Sequence, residues 1–496
     1  MARYVMANRR AGKFHEFEKE ASRRALDSGF KRLFSTNVDV VNDLNPADPL
    51  ARRMMVFDAD PDEVAAKAAS LPTDVMVERE ILHYPVPSVA GLDAAVISEV
   101  AAGPQVGFNA FVTGGGGRLL GATVILIAVD AFNRQHRITL VTDAAGSATF
   151  PLPMNLQPAA LVVLPAGGFW SMVVRTPVNG AAIDCPPIAD VGPLDWWHKA
   201  LGIQQFDSQR GTGIKVGVID TGAGPHGCLA HVVRVGAFIN GAHDPAGTGD
   251  VDSHGTHVAG TIGAIPVTAT ERAGIAAGVT LMAARVFAGP DTGASQADIA
   301  NAIDELSRNR RADLINMSLG ADAPSVIEQD AIQDALQRGT LCLCAAGNDG
   351  GAVSWPAAFD ESVAVSAIGL KNTAPAGSLS AGRLPTSSTM FGAGNLYLSN
   401  FSNFGSQVDC TSPGVGIIAT VPERFGLTRP YAAMDGTSMA SPVACGALAA
   451  LLANSPTYAA LTGTARAEEA RAILGLNCQS IGLAAIFQGR GMLRVP

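Results

Sequence analysis

Between residues 214 and 452, strand-like apolar runs alternate regularly with helix-like segments. The runs cover residues 214–220, 280–287, 314–319, 341–345 and 363–368, and the helical segments cover 254–265, 296–310, 326–338 and 437–452. Strands joined by helices require right-handed crossovers, which make the strands parallel and cover both faces of the sheet. A sheet buried on both faces also explains why the runs are continuously apolar. The sequence therefore predicts an α/β domain over 193–496 with a mainly parallel sheet and helices on both faces.

Three side chains in this α/β region have the chemistry of nucleophilic catalysis. Asp220 is the last residue of the first strand, His254 begins the first helix, and Ser438 begins the last. Open α/β sheets bind their ligands at the carboxyl ends of the strands, where Asp220 lies. A carboxylate, an imidazole and a hydroxyl are the orienter, base and nucleophile of a serine hydrolase. Each also has a structural interpretation, with Ser438 as a helix N-cap and Asp220 as a turn cap. A buried aspartate is costly unless it is paired, which favours the orienter role.

Four short motifs give these residues a family context. The strings VIDTG, HGTHVAG, AAGN and GTSMASP follow one another in this order, and the region from Asp195 to Pro496 resembles the subtilisin-like serine protease family. The resemblance implies that Asp220 orients His254, that His254 acts as general base and then acid, and that Ser438 attacks the scissile carbonyl. It also implies that Asn348 donates its side-chain amide to the oxyanion, beside the backbone amide of Ser438.

The same resemblance implies a peptide-binding groove. A peptide substrate would add as a strand between extended edges of the domain. The implied substrate-binding residues are Ser318, Leu319, Gly320, Ala346, Gly347 and Ser354. Their neutral and fairly small side chains favour an uncharged residue before the cut.

No cofactor or metal ligand is expected. The family often carries calcium, but residues 266–273 lack an Asn-rich loop, so the resemblance assigns no calcium ligands here. His257 lies three residues after His254, as in a two-histidine metal pair. No carboxylate motif accompanies it, so we expect His257 to pack in the interior.

Residues 1–84 show the order of a ferredoxin-like α+β domain. Strand-like segments at 3–8, 37–41, 53–57 and 74–78 are interleaved with two helices. The first helix carries Phe14, Phe17, Ala21 and Ala25 on one face. The second begins with Asp60 as N-cap, Pro61 at its first position and Glu63 in the position of a capping box.

Ahead of a subtilisin-like domain, such a region resembles the family's propeptide, which assists folding and then blocks the cleft with its C-terminal tail. Residues 77–84 resemble that tail, and Tyr84 would take the place of the residue before the cut. Two departures weaken this interpretation. Pro85 follows Tyr84, and a bond to proline nitrogen is a poor protease substrate. In addition, about a hundred residues separate the tail from the protease region.

Residues 102–180 predict a small all-β sandwich, because six short apolar runs alternate with turns and no helical period occurs. Residues 85–101 and 181–192 are expected to be linkers on either side of it. The expected role of this domain is to space its neighbours or to dock a partner.

The formal charge of −9 argues against a nucleic-acid-binding protein, and no apolar run reaches the length of a membrane span. The first residues lack the apolar core of a secretory signal, which favours a cytoplasmic location if Met1 is the true start and a secreted protein if it is not.

The sequence as a whole predicts a serine endopeptidase that forms an acyl-enzyme and is made as a zymogen with its own N-terminal inhibitor. Its partners would be polypeptide substrates and its own N-terminal domain, with no membrane or nucleic acid. One alternative is a latent scaffold or switch that only a partner activates. A second is an ester hydrolase, which the absence of a Gly-x-Ser-x-Gly elbow around Ser438 disfavours.

Overall fold

A computed structural model describes residues 1–9, 26–31, 38–44, 52–72, 74–85, 104–423, 427 and 429–495. The predicted helix with Phe14 and Phe17 and most of the predicted linker 85–101 lie outside these residues. Among the described residues, no helix is long and apolar enough to cross a membrane.

The N-terminal residues form a four-stranded antiparallel sheet. In spatial order its strands are Asp39–Leu44, Met54–Ala59, Ala2–Asn8 and Val75–Arg79. Residues 26–31 are helical, and Leu26 packs with Phe57 in the core beside this sheet. The helix Pro61–Ala68 begins as predicted, because the Asp60 carboxylate accepts the backbone N–H groups of the first turn. Glu63 bonds Lys67, one turn further along the helix.

The middle residues form two sheets that pack face to face around one core. The first contains Ser147–Pro153, Gln105–Gly114, Ala181–Asp184 and Gly117–Arg118; the second contains Met172–Arg175, Gln157–Leu164, Thr123–Val129 and Gln135–Val141. Phe108 and Phe150 of the first sheet meet Leu126 and Leu161 of the second in this core. The strand Ala181–Asp184 occupies part of the predicted 181–192 linker, because it pairs in parallel with the distant strand Gln105–Gly114.

The C-terminal half is built on an eleven-stranded sheet within the described residues. Its spatial order is Ala242–Asp244, Val233–Ile239, Thr280–Arg285, Lys215–Asp220, Leu314–Met317, Leu341–Ala345, Val363–Leu370, Val408–Pro413, Met492–Leu493 and Cys478–Gln479, with Leu396–Leu398 paired to Val363–Leu370. The eight strands from Val233–Ile239 to Met492–Leu493 are mutually parallel. The prediction of a mainly parallel sheet is confirmed.

Helices cover both faces of this sheet. The described α-helices of this half are Trp196–Ala200, His254–Gly263, Gln296–Asp304, Val326–Arg338, Thr437–Leu452, Pro456–Ala460, Gly463–Asn477 and Ala485–Gln488. Strand side chains alternate between two cores, so that Val218 packs with the helices begun by His254 and Thr437, whereas Ile219 packs with those begun by Gln296 and Val326. The predicted helix 296–310 turns into a π-helix at Glu305–Asn309.

Two small sheets complete the described fold. Leu82–Pro85 is the central strand of a three-stranded sheet, between Ala294–Ser295 and Leu319–Gly320. Ile417–Thr420 pairs with Tyr431–Met434 in a two-stranded sheet that packs on the helix His254–Gly263. The three-stranded sheet joins the N-terminal part of the chain to the C-terminal half.

Candidate active site

Asp220 and His254 are in direct contact at the carboxyl edge of the parallel sheet. Nδ1 of His254 lies 2.7 Å from Oδ1 of Asp220, and both side chains are buried. The same carboxylate oxygen accepts the N–H of Thr221 at 2.7 Å. A carboxylate beside Nδ1 assigns the ring proton to that nitrogen, which leaves Nε2 as the basic atom. Within the described residues Nε2 makes no hydrogen bond.

Asp250 holds the start of the His254 helix against the strand that ends at Asp220. Its carboxylate accepts the hydroxyl of Thr221 at 2.8 Å and the N–H groups of Asp252, Ser253 and Thr256 at 2.9 to 3.0 Å. The hydroxyl of Thr256 donates to it as well. One side chain therefore fixes the relative position of the Asp220 and His254 segments.

Carboxylates around the imidazole control its charge. Burial by itself lowers the pKa of His254, but the attraction of Asp220, Asp252 and Asp250 outweighs burial and holds this pKa above its ordinary value. Burial also raises the pKa of Asp252, whose Oδ1 accepts the backbone N–H of His254 at 3.3 Å. The site thus favours an imidazolium, the form that a general base reaches after it takes a proton.

Ser438 lies at the start of the helix Thr437–Leu452, with its side chain fully buried. Its hydroxyl donates to the carbonyl of Ser318 at 3.1 Å, and the hydroxyl of Ser318 donates to the carbonyl of Ser438 at 2.8 Å. These reciprocal bonds tie the helix start to the residue that follows the strand Leu314–Met317. The helix N-terminus also favours negative charge beside Ser438.

Asn348 is oriented by the residue before Ser438. Its side-chain oxygen accepts both the N–H and the hydroxyl of Thr437, at 2.9 and 2.8 Å. Because the oxygen is held in this way, the opposite side of the amide, Nδ2, is a donor of fixed direction. A Cβ on Gly436, whose φ is +157°, would lie 3.2 Å from this nitrogen. Asn348 therefore presents its amide at the backbone that leads into Ser438.

The other residues expected to bind substrate are also brought together. The backbone N–H of Ser354 donates to the carbonyl of Ala346 at 2.9 Å, and the N–H of Gly347 donates to the hydroxyl of Thr437 at 3.1 Å. Asn403 donates to the hydroxyl of Ser354 at 3.2 Å. His257, expected to pack, is buried with Nε2 2.9 Å from the carbonyl of Ile417.

The strand Leu82–Pro85 lies in the groove beside these residues. His83 pairs with Ala294 on one edge, and Tyr84 pairs with Gly320 on the other. A Cβ on Gly293 would come within 2.7 Å of Leu82, so glycine is required for this close approach. The groove therefore already holds an extended segment of the same chain.

The register of this strand corrects the expected position of Tyr84. Tyr84 lies opposite Gly320 and Pro85 opposite Leu319, and neither pairs with Ser318, whose carbonyl accepts the hydroxyl of Ser438. Tyr84 is therefore two positions away from the place beside the nucleophile. Moving the strand by two residues would take His83 out of its buried contact with Glu328, 2.9 Å away.

Sequence reasoning missed the second edge of the groove, Ala294–Ser295, and the organising role of Asp250. The edge strand has only two residues, too few for a strand pattern, although Ser295 is a recognisable N-cap for the helix Gln296–Asp304. In the part of the chain that the structure describes, no group of three His, Cys, Asp or Glu side chains is arranged to hold a metal ion.

Comparisons with known proteins agree with this geometry. The model of the Subtilase family matches residues 211–479. Over 297 residues the chain is 30% identical to Subtilisin DY of Bacillus licheniformis, and the aligned region covers 59% of this chain and 92% of that protein. It is 34% identical over 250 residues to Subtilisin Savinase of Lederbergia lenta, with 50% and 79% covered. It is 33% identical over 277 residues to the major intracellular serine protease of Bacillus subtilis, with 53% and 76% covered.

Proposed function

The chain belongs to the subtilase family of serine proteases, and from this premise we propose that it is an endopeptidase held latent by its own N-terminal region. The observation that carries the proposal is the strand Leu82–Pro85, which lies between two edges of a groove beside Ser438. An extended peptide bound by backbone pairing is how such grooves hold substrates.

In the proposed reaction Ser438 attacks the carbonyl of the scissile bond while Nε2 of His254 takes the hydroxyl proton. Asp220 stabilises the resulting imidazolium through the 2.7 Å contact at Nδ1. His254 then gives this proton to the leaving amine, and an acyl-enzyme remains on Ser438. A water molecule, deprotonated by His254, releases the acyl group and restores the serine.

The proposed oxyanion donors are Nδ2 of Asn348 and the backbone N–H of Ser438. Thr437 supports this role for Asn348 because its two donors hold the amide oxygen and so set the direction of Nδ2. Replacing Asn348 by Ala should reduce turnover by on the order of 10² or more, a magnitude established for oxyanion donors in this family rather than derived from this structure.

For substrate binding, we propose that a peptide replaces Leu82–Pro85 between Ala294–Ser295 and Leu319–Gly320. In the observed register the residue before the cut would lie opposite Ser318, whose carbonyl accepts the hydroxyl of Ser438. The segments that contain Ala346, Gly347 and Ser354 would line the pocket for that residue.

For the domains, we propose a ferredoxin-like inhibitor over 1–84, a β-sandwich over 102–180 extended to Asp184, and the peptidase over 193–496. The antiparallel sheet order of the N-terminal strands supports the first assignment. The proposed inhibitor contacts the proposed peptidase through ion pairs of Arg52, which is buried and lies 2.7 Å from Asp334 and 3.4 Å from Asp304.

We further propose that the sandwich is a docked spacer. Its Trp170 and the following Ile188 pack against Ile418 and Ala433 of the two-stranded sheet on the peptidase. A cytoplasmic location is proposed from the similarity to the major intracellular serine protease and from the seven cysteines, all of which are free.

The proposed function is tested by the intact mass of the purified wild type beside Ser438→Ala, before and after incubation, together with casein cleavage. We expect only the wild type to lose an N-terminal fragment and then to cut casein, and the new terminus will locate the processing site. Casein cleavage by Ser438→Ala would rule out the mechanism. If both proteins keep their full mass and neither cuts casein, the chain is the latent scaffold or switch that only a partner activates.

A further inference from the structure

His83 and Glu328 form a buried pair across the interface between the strand Leu82–Pro85, the tail strand, and the peptidase. Nε2 of His83 lies 2.9 Å from Oε2 of Glu328, and both residues are fully buried. Their neighbours on the strand differ, since Leu82 is 39% and Tyr84 49% exposed. Alternate side chains of a bound strand point in opposite directions, so His83 is the one that enters the peptidase.

Glu328 belongs to the peptidase and remains there when the tail leaves. It lies in the first turn of the helix Val326–Arg338, where the helix dipole favours a carboxylate, and its N–H bonds the capping hydroxyl of Ser325. Its second oxygen, Oε1, is buried and makes no hydrogen bond within the described residues. A buried carboxylate without a donor is costly, and the imidazole of His83 supplies the donor here.

Departure of the N-terminal domain would make this surface more acidic. Arg52 and Arg9 of that domain pair with Asp334 and Asp330 of the same helix. Glu78 would leave as well, but two cations leave with it. Asp330 and Asp334, which belong to the same helix as Glu328, would then lose these two cations, although Arg338 stays near Asp334.

We propose that Glu328 determines specificity by selecting a side chain with an N–H donor, histidine or a basic residue, at the substrate position that His83 now occupies. In the observed register this position is two residues before Pro85, which lies opposite Leu319. An apolar side chain there would leave the Glu328 carboxylate without a donor, whereas an imidazole, ammonium or guanidinium group satisfies it. This inference rests on the proposed function, but the preference for a side chain at position 83 can be measured without turnover.

The test uses the full chain in the Ser438→Ala background, with hydrogen exchange of the Ile81 and Tyr84 amides as the readout, because Ile81 donates to Gln296 at 2.8 Å and Tyr84 pairs with Gly320. We expect His83→Leu to reduce their protection by about 10- to 100-fold, because a buried carboxylate loses its partner. His83→Lys should keep most of it. In a Glu328→Leu chain the order should reverse, so that leucine at position 83 protects better than histidine. Equal protection with histidine and leucine in the Glu328 chain would overturn the proposal.

A second measurement uses the processed wild-type enzyme and quenched peptides that differ only at this position. Peptides with histidine or lysine should exceed the leucine peptide in kcat/KM by about 10- to 100-fold. Glu328→Leu should remove this preference. Glu361→Gln is the matched control, because Glu361 bonds Gln329 and Gln333 of the same helix and should not affect the preference. Cleavage of casein with no preference among the peptides would refute the specificity while leaving the protease function intact.

Discussion

Three carboxylates surround the imidazole of His254, and Oδ1 of Asp220 lies 2.7 Å from its Nδ1. Asp252 and Asp250 act on the ring through the field of their charges. When neighbouring carboxylates raise the pKa of a general base, the base stays protonated, and therefore inactive, up to a higher pH. We therefore expect the activity at acid pH to depend partly on Asp252 and Asp250, through their effect on the pKa of His254.

We expect Asp252→Asn to move the acid limb of the pH–activity profile to lower pH. The substitution removes one negative charge that raises the pKa of His254, so the imidazole loses its proton, and becomes a base, at a lower pH. The amide oxygen of asparagine can still accept the N–H of His254. The check is kcat/KM of the processed enzyme from pH 5 to 9. An unchanged or higher midpoint would contradict the electrostatic explanation.

At the scale of residues, the motifs around Asp220, His254, Asn348 and Ser438 predicted the candidate catalytic side chains, because each motif is a short stretch of neighbouring residues. The contact between Asp220 and His254 is now observed, whereas the roles of Asn348 and Ser438 stay proposals. The pair of His83 and Glu328 could not be predicted, because 245 residues separate the two and neither lies in a motif. The pairing of Tyr84 with Gly320 was not predicted either, since it joins residues far apart in the sequence.

Among the elements, the helix His254–Gly263 is held at its start by one side chain outside it, Asp250. We expect Asp250→Asn to lower the free energy of unfolding by about 2 to 4 kcal/mol, because an amide cannot accept at both of its ends and several hydrogen bonds to a charged group are lost. Turnover should fall as well, since His254 moves with the helix.

Denaturant unfolding and casein turnover measure these two effects. Asp244→Asn is the control, because Asp244 accepts the N–H of Ala246 in an exposed turn. We expect little change in that variant. Equal losses in both variants would show that Asp250 has no special role at the helix start.

The helix Val326–Arg338 depends on the N-terminal domain at its first turn. Glu78 accepts the N–H of Val326 and the hydroxyl of Ser325, each at 2.7 Å. We expect Glu78→Ala to weaken docking of the N-terminal domain by roughly 10-fold or more, because two bonds to a carboxylate disappear. Basal cleavage of casein by the intact chain should rise.

Glu63→Ala is the matched control for this substitution. Within the described residues the Glu63 carboxylate bonds its helical neighbour Lys67 at a half-exposed site, and such pairs contribute little. An unchanged basal rate in Glu78→Ala would show that the helix cap does not hold the domain.

Elements with a strong internal pattern were predicted closely, including the strand Leu341–Ala345 and the helices Val326–Arg338 and Thr437–Leu452. Elements that exist only because a distant partner pairs with them were missed. Ala181–Asp184 and Ala294–Ser295 have no periodic signal of their own, and each is a strand through contact with residues far away in the sequence.

For the molecule as a whole, the tail interface should respond to pH. Burial raises the pKa of Glu78 and of Glu80 above the ordinary value of 4.5. A raised pKa in the docked state means that docking is strongest below about pH 4.5 and weakens as pH rises through the raised values. We expect the protection of the Ile81 and Tyr84 amides in Ser438→Ala, corrected for intrinsic exchange, to decrease from pH 4.5 towards neutrality.

The double variant Glu78→Gln and Glu80→Gln isolates this effect, because neither amide titrates. Its tail protection should vary less with pH than that of the parent chain. Protection that increases with pH in the parent would contradict the assigned direction.

The central strand of the three-stranded sheet belongs to the same chain as the groove that holds it, and this has a consequence for competition. A covalently attached segment is present at an effective concentration on the order of millimolar, whatever the amount of protein in solution. Diluting the intact chain cannot release its groove, and a substrate at ordinary cellular levels competes poorly. We expect a single cut in the connection after Pro85 to turn the same segment into a diffusible ligand, so that activity then increases with dilution.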